Sequence, residues 1–569
     1  MTATAATAAG PCELQSGPPA HFPHCCAAAM PPPATLTALL AERAAQHGIA
    51  MIDRERAVSY RQLEDESARI AAALRALGVG AGDRVAIWLP NVPAWLACLF
   101  ACARIGAIGV AVNTRFRSAE LADILARSGA VALVTWPRFD KVDFVGVLAG
   151  CPAAALSALR TVIAYDEGPG EGGAAEASAR VPALPTGAAV VRYADLLAHA
   201  PLAGDVARPD AGCAIFTTSG TTKAPKFVLH DQRTLVSHAF DVVRGFGIDG
   251  DSTMLLAPPL CGVFGVCCAM AMIAAGRPFV MAPVWDPAWG ARTIDAHRVT
   301  HLNATDDAIA QLLAQNERTP AFPTMRLAGY ASFNPAQADI VERAQARGLM
   351  VVGLYGISEI QALFARNSER DPVGKRKLGG GVPVSAAARV RARDPQSGRV
   401  LPHGEAGELE FLAPTSRMVG YFGDPQATRE AIVGGGWYRS GDLGYTCEDG
   451  RFVFLTRIGD SLRLGGFLAS PLEIEECVQQ APGIDACQVV GVTTQGGLKP
   501  VAFVRLKPGA ALDEAAVTAH VAARLARYKV PMRVFAIDAF PVTEGTNATK
   551  IQKHRLRDMA QALLDGRAA

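Results

Sequence analysis

Two periods of apolar spacing alternate along this chain. Leu36 to Ala45, Arg61 to Leu77 and Val92 to Ile105 read as helices with one or more buried faces. Between them lie short β-rich runs, Ala57-Val58-Ser59-Tyr60 and Arg84-Val85-Ala86-Ile87-Trp88-Leu89. Such alternation predicts an α/β protein with mostly parallel sheets covered by helices. Residues 166 to 190 are rich in Gly and Ala and read as a surface loop inserted in this region. Residues 451 to 464 read as two short strands around a polar joint, after which helices and strands restart, so a boundary is expected near residue 459.

Length supports that division. At 569 residues the chain exceeds what one compact core organises. The expected organisation is a disordered extension over residues 1–33, a large domain over 34–458 and a small α+β domain over 459–569. The extension is rich in Ala and Pro but lacks the basic and continuous apolar regions of a signal peptide, and Met30 is a candidate start.

Charge is nearly balanced, with 55 Lys+Arg against 53 Asp+Glu. No global field therefore points to nucleic acid or an acidic membrane, and small molecules are the expected partners. No apolar run reaches the length of a membrane span. Thirteen cysteines without a C-x-x-C pair, several inside apolar runs, read as buried free thiols in a reducing, cytoplasmic setting. Nothing in the sequence bears on oligomeric state.

The chemistry concentrates in a few segments. Residues 217 to 230 read Thr-Thr-Ser-Gly-Thr-Thr-Lys-Ala-Pro-Lys-Phe-Val-Leu-His, directly after the apolar Cys213-Ala214-Ile215-Phe216. Backbone N–H groups around Gly220 can form an anion nest, the hydroxyls of Thr218, Ser219, Thr221 and Thr222 can donate to phosphate oxygens, and Lys226 supplies a point charge. This suits a nucleoside triphosphate, although the spacing is not that of a Walker A loop, and a plain polar turn is the competing reading. Next in order come Tyr355-Gly356-Ile357-Ser358-Glu359, then Trp437-Tyr438-Arg439-Ser440-Gly441-Asp442-Leu443-Gly444-Tyr445, then Arg457-Ile458-Gly459-Asp460. Gly465-Gly466 with Pro471-Leu472-Glu473-Ile474-Glu475, and finally Thr549-Lys550-Ile551, complete the series.

On these motifs in this order, over roughly residues 34 to 560, the chain resembles the ANL superfamily of adenylate-forming enzymes, and within it the AMP-forming acyl-CoA synthetase branch. The resemblance implies ATP, Mg²⁺ and CoA. It assigns phosphate binding to the 218 to 226 loop and the metal to Thr221 and Glu359, a hydroxyl and a carboxylate that fit a hard cation. It places Tyr355, Gly356 and Ser358 beside adenine and the forming acyl phosphate, and Asp442 with Arg457 on the ribose. Gly465 and Gly466 would let the pantetheine thiol pass, and the joint at Gly459 would be the hinge about which a mobile small domain turns between two half-reactions. Lys550 would contact the carboxylate and α-phosphate during adenylation. Its surroundings are three residues longer than in relatives, and Lys553 is the competing choice.

The implied activity is an ATP-dependent acid–thiol ligase that forms acyl-AMP, expels pyrophosphate and passes the acyl group to CoA. Small residues in Cys261 to Gly276 and Leu327 to Ser332 leave room for a fatty or alicyclic acid. An enzyme loading a separate carrier protein is the enzymatic rival. A binding protein without turnover is the other, motivated by Lys223 and Phe227 where relatives carry glycine. Phe227 is expected to narrow the phosphate path. Asp306-Asp307 is expected to be a solvated helix start capped by Thr305.

Overall fold

The computed structural model describes residues 33–167, 180–181, 184, 187–218, 225–334, 337–458, 462–464, 467–469, 471–494, 497–525, 527–544 and 549–565. Residues 1–32, and with them nearly all of the expected extension, lie outside the described residues.

The expected early elements are present at Leu36–Ala45, Arg56–Ser59, Tyr60–Ala76, Arg84–Trp88 and Pro93–Ile105. Local chemistry fixes their starts. Thr35 accepts from Ala38 N, and Ser59 with Gln62 forms a reciprocal capping box that satisfies otherwise orphaned N–H groups.

Two sheets organise the large domain. In one the strand order is 420–421, 227–231, 212–217, 108–111, 84–88, 132–135, 161–164 and 189–192. From 212–217 to 189–192 all neighbours are parallel. The last two residues of the expected 166–190 loop open the edge strand Ala189–Arg192, while 168–179 lie outside the described residues.

The second sheet runs from 389–393 through 407–412, 437–446, 452–457, 379–383, 365–366, 351–355, 327–331, 301–305, 254–255, 279–281 and 49–53 to 56–59. Its central strands are parallel, whereas those beyond 351–355 are antiparallel. The helix Val263–Ala275 is buried on nearly every side and packs in one core with side chains of both sheets. Its uniformly apolar sequence follows from that double contact.

After Phe452–Arg457 and Leu462–Leu464, on either side of the joint read from sequence, comes a three-stranded sheet of Ile484–Thr494, Gly497–Leu506 and Arg533–Ala536. Helices Pro471–Gln479 and Glu514–Ala522 cover one face through Ile474, Val478, Val517 and Val521. Helix Lys553–Leu564 packs Leu556 and Ala560 against Val490, Val492 and Phe503 in a separate cluster. Gly459 lies outside the described residues.

One expectation is corrected. Thr305 does cap the helix Asp306–Leu313, but Asp306 is buried, not solvated. Its Oδ2 accepts from the N–H groups of Phe333 and Asn334, each at 2.8 Å, so it ties down the chain after the strand Leu327–Ala331. Phe227 is likewise buried, its ring under the guanidinium of Arg127 at 4.2 Å and part of the core, while residues 219–224 of the loop it was expected to crowd lie outside the described residues.

Nine of the ten described cysteines are buried and all ten are free thiols. Among the described residues no helix is long and apolar enough to cross a membrane.

Candidate functional site

Strands Gly212–Thr217 and Phe227–Asp231 form an antiparallel pair whose connection is the phosphate-loop segment. Its two ends are tied together, because Thr218 N donates to Lys226 O and Lys226 N donates to Thr218 Oγ1, both at 3.0 Å. Arg127 braces the exit by donating to Pro225 O at 2.8 Å while covering Phe227. Ser219, Gly220, Thr221, Thr222 and Lys223 lie outside the described residues. Lys226 Nζ stands 4.5 Å from the ring centre of Tyr421, a cation–π contact that holds the ammonium at the loop's mouth.

Tyr421 reaches this place because Gly420–Tyr421 pairs antiparallel with Phe227–Asp231 at the edge of the first sheet. Its hydroxyl donates to Glu359 Oε1 at 2.8 Å. Glu359 is 8% exposed and sits in the short turn Ser358–Ile360 that follows the strand Val351–Tyr355. Burial, and then the Glu359 charge, raise the Tyr421 hydroxyl above its ordinary value, so it stays a donor. The neighbouring Tyr438 hydroxyl is raised for the same reasons in the same order.

The Glu359 turn is held from below by two histidines. His230 Nε2 bonds Ser358 O at 2.8 Å and His238 Nε2 bonds Ala362 O at 2.7 Å. Both rings are buried, and burial lowers both, His230 to about 4, so they are neutral donors to these carbonyls. Met418 N closes the turn on Glu359 O at 2.7 Å. Gln361 and Leu363 adopt φ of 65° and 62°, a left-handed conformation that the surrounding bonds impose on non-glycine residues. Gly356 permits this packing, since a Cβ there would meet Ala362 Cα at 2.6 Å and Leu363 N at 2.8 Å.

A third group lies on the long sheet. Asp442, 1% exposed, faces Arg457 across the pair Trp437–Thr446 and Phe452–Arg457. Tyr355 donates its hydroxyl to Asp442 Oδ2 at 2.5 Å, and Arg457 Nε lies 2.9 Å from Oδ1. The Arg457 contact lacks hydrogen-bond direction, which leaves Oδ1 buried without a bonded donor. Burial raises the Asp442 carboxyl and the Arg457 charge opposes it. The Tyr355 ring packs against Phe411, Phe452 and Phe454, so its part of the site is the hydroxyl, while the backbone at Gly356 is exposed. Tyr355, Glu359, Asp442, Arg457 and Tyr438 lie close enough that each tyrosine senses the charges of Glu359 and Arg457.

A family model described as AMP-binding enzyme matches residues 40–422, and one described as AMP-binding enzyme C-terminal domain matches residues 473–545. The chain belongs to the AMP-binding enzyme family. It is 32% identical over 525 residues to a feruloyl-CoA synthase of Amycolatopsis, covering 90% of this chain and 96% of that one. It is 31% identical over 540 residues to a sulfoacetate–CoA ligase of Cupriavidus necator, covering 92% and 98%. Among solved structures, ATP-bound MatB from Rhodopseudomonas palustris is similar with a TM-score of 0.77 at 25% identity, covering 93% of this chain and 99% of that one. Within this family the large domain, small domain and their order follow the expected α/β and α+β plan.

The residues present fit a nucleotide. Asp442 Oδ1, faced by Arg457 but without a bonded donor, is an acceptor that suits a ribose hydroxyl, and the backbone at Gly356 is exposed. No three His, Cys, Asp or Glu side chains among the described residues form a metal cage. Glu359 offers a carboxylate that suits a hard cation, while Thr221, expected to join it, lies outside the described residues.

In the small domain Lys550 lies on the strand Thr549–Ile551, paired with Thr543. Lys553 Nζ, by contrast, is 2.8 Å from the buried Glu475 Oε1. Gly465 and Gly466 lie outside the described residues. Sequence reading missed Tyr421, whose Gly-Tyr-Phe-Gly setting reads as a turn, and the buried pair His230 and His238.

Proposed function

We propose that this chain is an ATP-dependent acid–CoA ligase. The observation that carries the reading is the buried Asp442 carboxylate, held by Tyr355 and faced by Arg457, beside the Lys226–Tyr421–Glu359 group. Asp442 and Arg457 bind the ribose, the loop after Thr217 with Lys226 binds the phosphates, and Glu359 with Thr221 holds Mg²⁺. When bound, Mg²⁺ neutralises phosphate charge in the displacement.

In the first half-reaction a carboxylate oxygen of the acid attacks the α-phosphorus, the α–β P–O bond breaks, and pyrophosphate leaves. Lys226 stabilises the growing phosphate charge and Lys550, from the small domain, holds the carboxylate against the α-phosphate. In the second, the CoA sulfur attacks the acyl carbonyl, the bond to the AMP oxygen breaks and the thiol proton is released. CoA is favoured over a carrier protein because the similar proteins named above are CoA ligases.

The small residues of Cys261 to Gly276 and of Leu327 to Ser332 favour an acid with an apolar body, fatty or alicyclic. The test is pyrophosphate release with ATP and Mg²⁺ across acetate, octanoate, cyclohexanecarboxylate and ferulate, each with and without CoA. Release that requires both an acid and CoA is expected. Acid-dependent release indifferent to CoA would replace this reading with carrier loading, and silence with every acid would overturn it.

A further inference from the structure

We propose that Lys553 and Glu475 form a strap that positions the Lys550 strand for adenylation, an inference that rests on the ligase reading above. Glu475 lies on the helix Pro471–Gln479 and is 4% exposed. Its Oε1 accepts from Val489 N at 2.8 Å and from Lys553 Nζ at 2.8 Å. Val489 belongs to Ile484–Thr494, the edge strand of the small domain's sheet. Lys553 opens the helix Lys553–Leu564, whose apolar contacts lie in a different cluster from those of Glu475's helix. One carboxylate thus fastens two helices and a strand edge at a single point.

That point is close to the Lys550 strand in sequence. Thr549–Ile551 ends two residues before Lys553, and Gln552 N donates to Pro541 O at 2.8 Å, closing the hairpin formed with Val542–Glu544. The hairpin is only three residues deep on each side and, among the described residues, is joined to no larger sheet. A two-stranded ribbon of this size has little stability of its own. Ile551 and Phe540 pack its C-terminal end and its entry against the Val490, Val492 and Phe503 cluster, and the first polar anchor after it is Lys553 on Glu475. Lys553 is therefore not the rival of Lys550 at the reacting atoms. Withdrawing it from Glu475 would leave a buried carboxylate facing one N–H. Its role is to hold the strand from which Lys550 acts.

The two half-reactions separate this role from a merely structural one. Adenylation needs Lys550 in place, whereas thioester formation from preformed acyl-AMP does not. Lys553→Met and Glu475→Gln should lower acid-dependent pyrophosphate release by about tenfold or more, as expected for a displaced positioning group. Thioester formation from synthetic acyl-AMP and CoA, using the acid that wild type turns over, should stay within about twofold, matching the pattern of Lys550→Ala. Lys553→Arg should restore most adenylation, and amide exchange at Gln552 should quicken in Lys553→Met. Should the single variants fold poorly, the apolar pair Glu475→Met with Lys553→Met keeps the packing without the strap and should show the same split. Equal loss of both half-reactions, or unchanged adenylation, overturns the proposal. Absence of adenylation in wild type overturns the ligase reading itself.

Discussion

The hydroxyl of Tyr421 donates to Glu359 Oε1 at 2.8 Å while the ring of the same tyrosine carries Lys226 Nζ on its face. One side chain thereby sets the distance between the cation of the phosphate loop and the proposed metal carboxylate. Tyr421→Phe keeps the ring and removes the bond. A hydrogen bond to a charged group contributes about 1.5–3 kcal/mol, so adenylation should fall by about ten- to a hundredfold, with a higher Mg²⁺ half-saturation. Pyrophosphate release titrated with Mg²⁺ checks this, and an unchanged titration would remove Tyr421 from the site.

Asp442→Asn should raise the KM for ATP by about ten- to a hundredfold, from the loss of charge-assisted bonds to the sugar. The informative comparison is with 2′-deoxy-ATP and 3′-deoxy-ATP. Wild type should discriminate against at least one of them and the variant should not. Equal use of all three nucleotides by wild type would move the ribose away from Asp442.

Gly356→Ala places a methyl 2.6 Å from Ala362 Cα and 2.8 Å from Leu363 N, both backbone atoms that cannot rotate away. Overpacking of this kind costs about 1–3 kcal/mol, and the turn that must yield is the one bearing Glu359. Loss of thermal stability and of adenylation together is expected, read by melting temperature and pyrophosphate release. A variant with wild-type values for both would show that the turn adapts freely.

Stability should decline on mild acidification. His301 is buried, bonded to Phe246 O and Thr300 Oγ1, and burial lowers it from 6.5 to about 4. His230 is lowered to about 4 as well. Between pH 6.5 and 4 the unfolded chain therefore binds protons that the folded chain does not, and stability falls as pH falls through that window. Each ring contributes on the order of 3 kcal/mol across the full window. Thermal melts from about pH 7.5 to about 4.5 should show the decline, and His301→Gln should flatten it. A slope unaffected by the substitution would place the sensitivity elsewhere.

How much of the site was legible in the sequence differs by residue, and for physical reasons. Glu359, Asp442 and Arg457 stood out because each lies in a short motif that, in order with the others, resembles the ANL superfamily, and the structure brings them within reach of one another. Tyr421 did not stand out, since what gives it meaning is pairing with Val228 nearly two hundred residues earlier. Asp306 was misread because a helix start looks solvated until the chain at Phe333 and Asn334 closes over it. The early helices and strands were readable from periodicity and capping alone, whereas the edge strand at Ala189–Arg192 owes its form to the parallel neighbour Thr161–Ala164.

The buried cysteines bear on what the enzyme must not do. A mixed anhydride of a carboxylic acid and AMP reacts with any accessible thiolate, and CoA should be the only one it meets. Here burial raises the thiol of Cys102 to about 12 and that of Cys261, which opens the small-residue run Cys261 to Gly276, to about 11. At neutral pH both are overwhelmingly protonated and enclosed. Among the described residues, these buried sulfurs are kept from competing as acceptors, a safeguard against self-acylation.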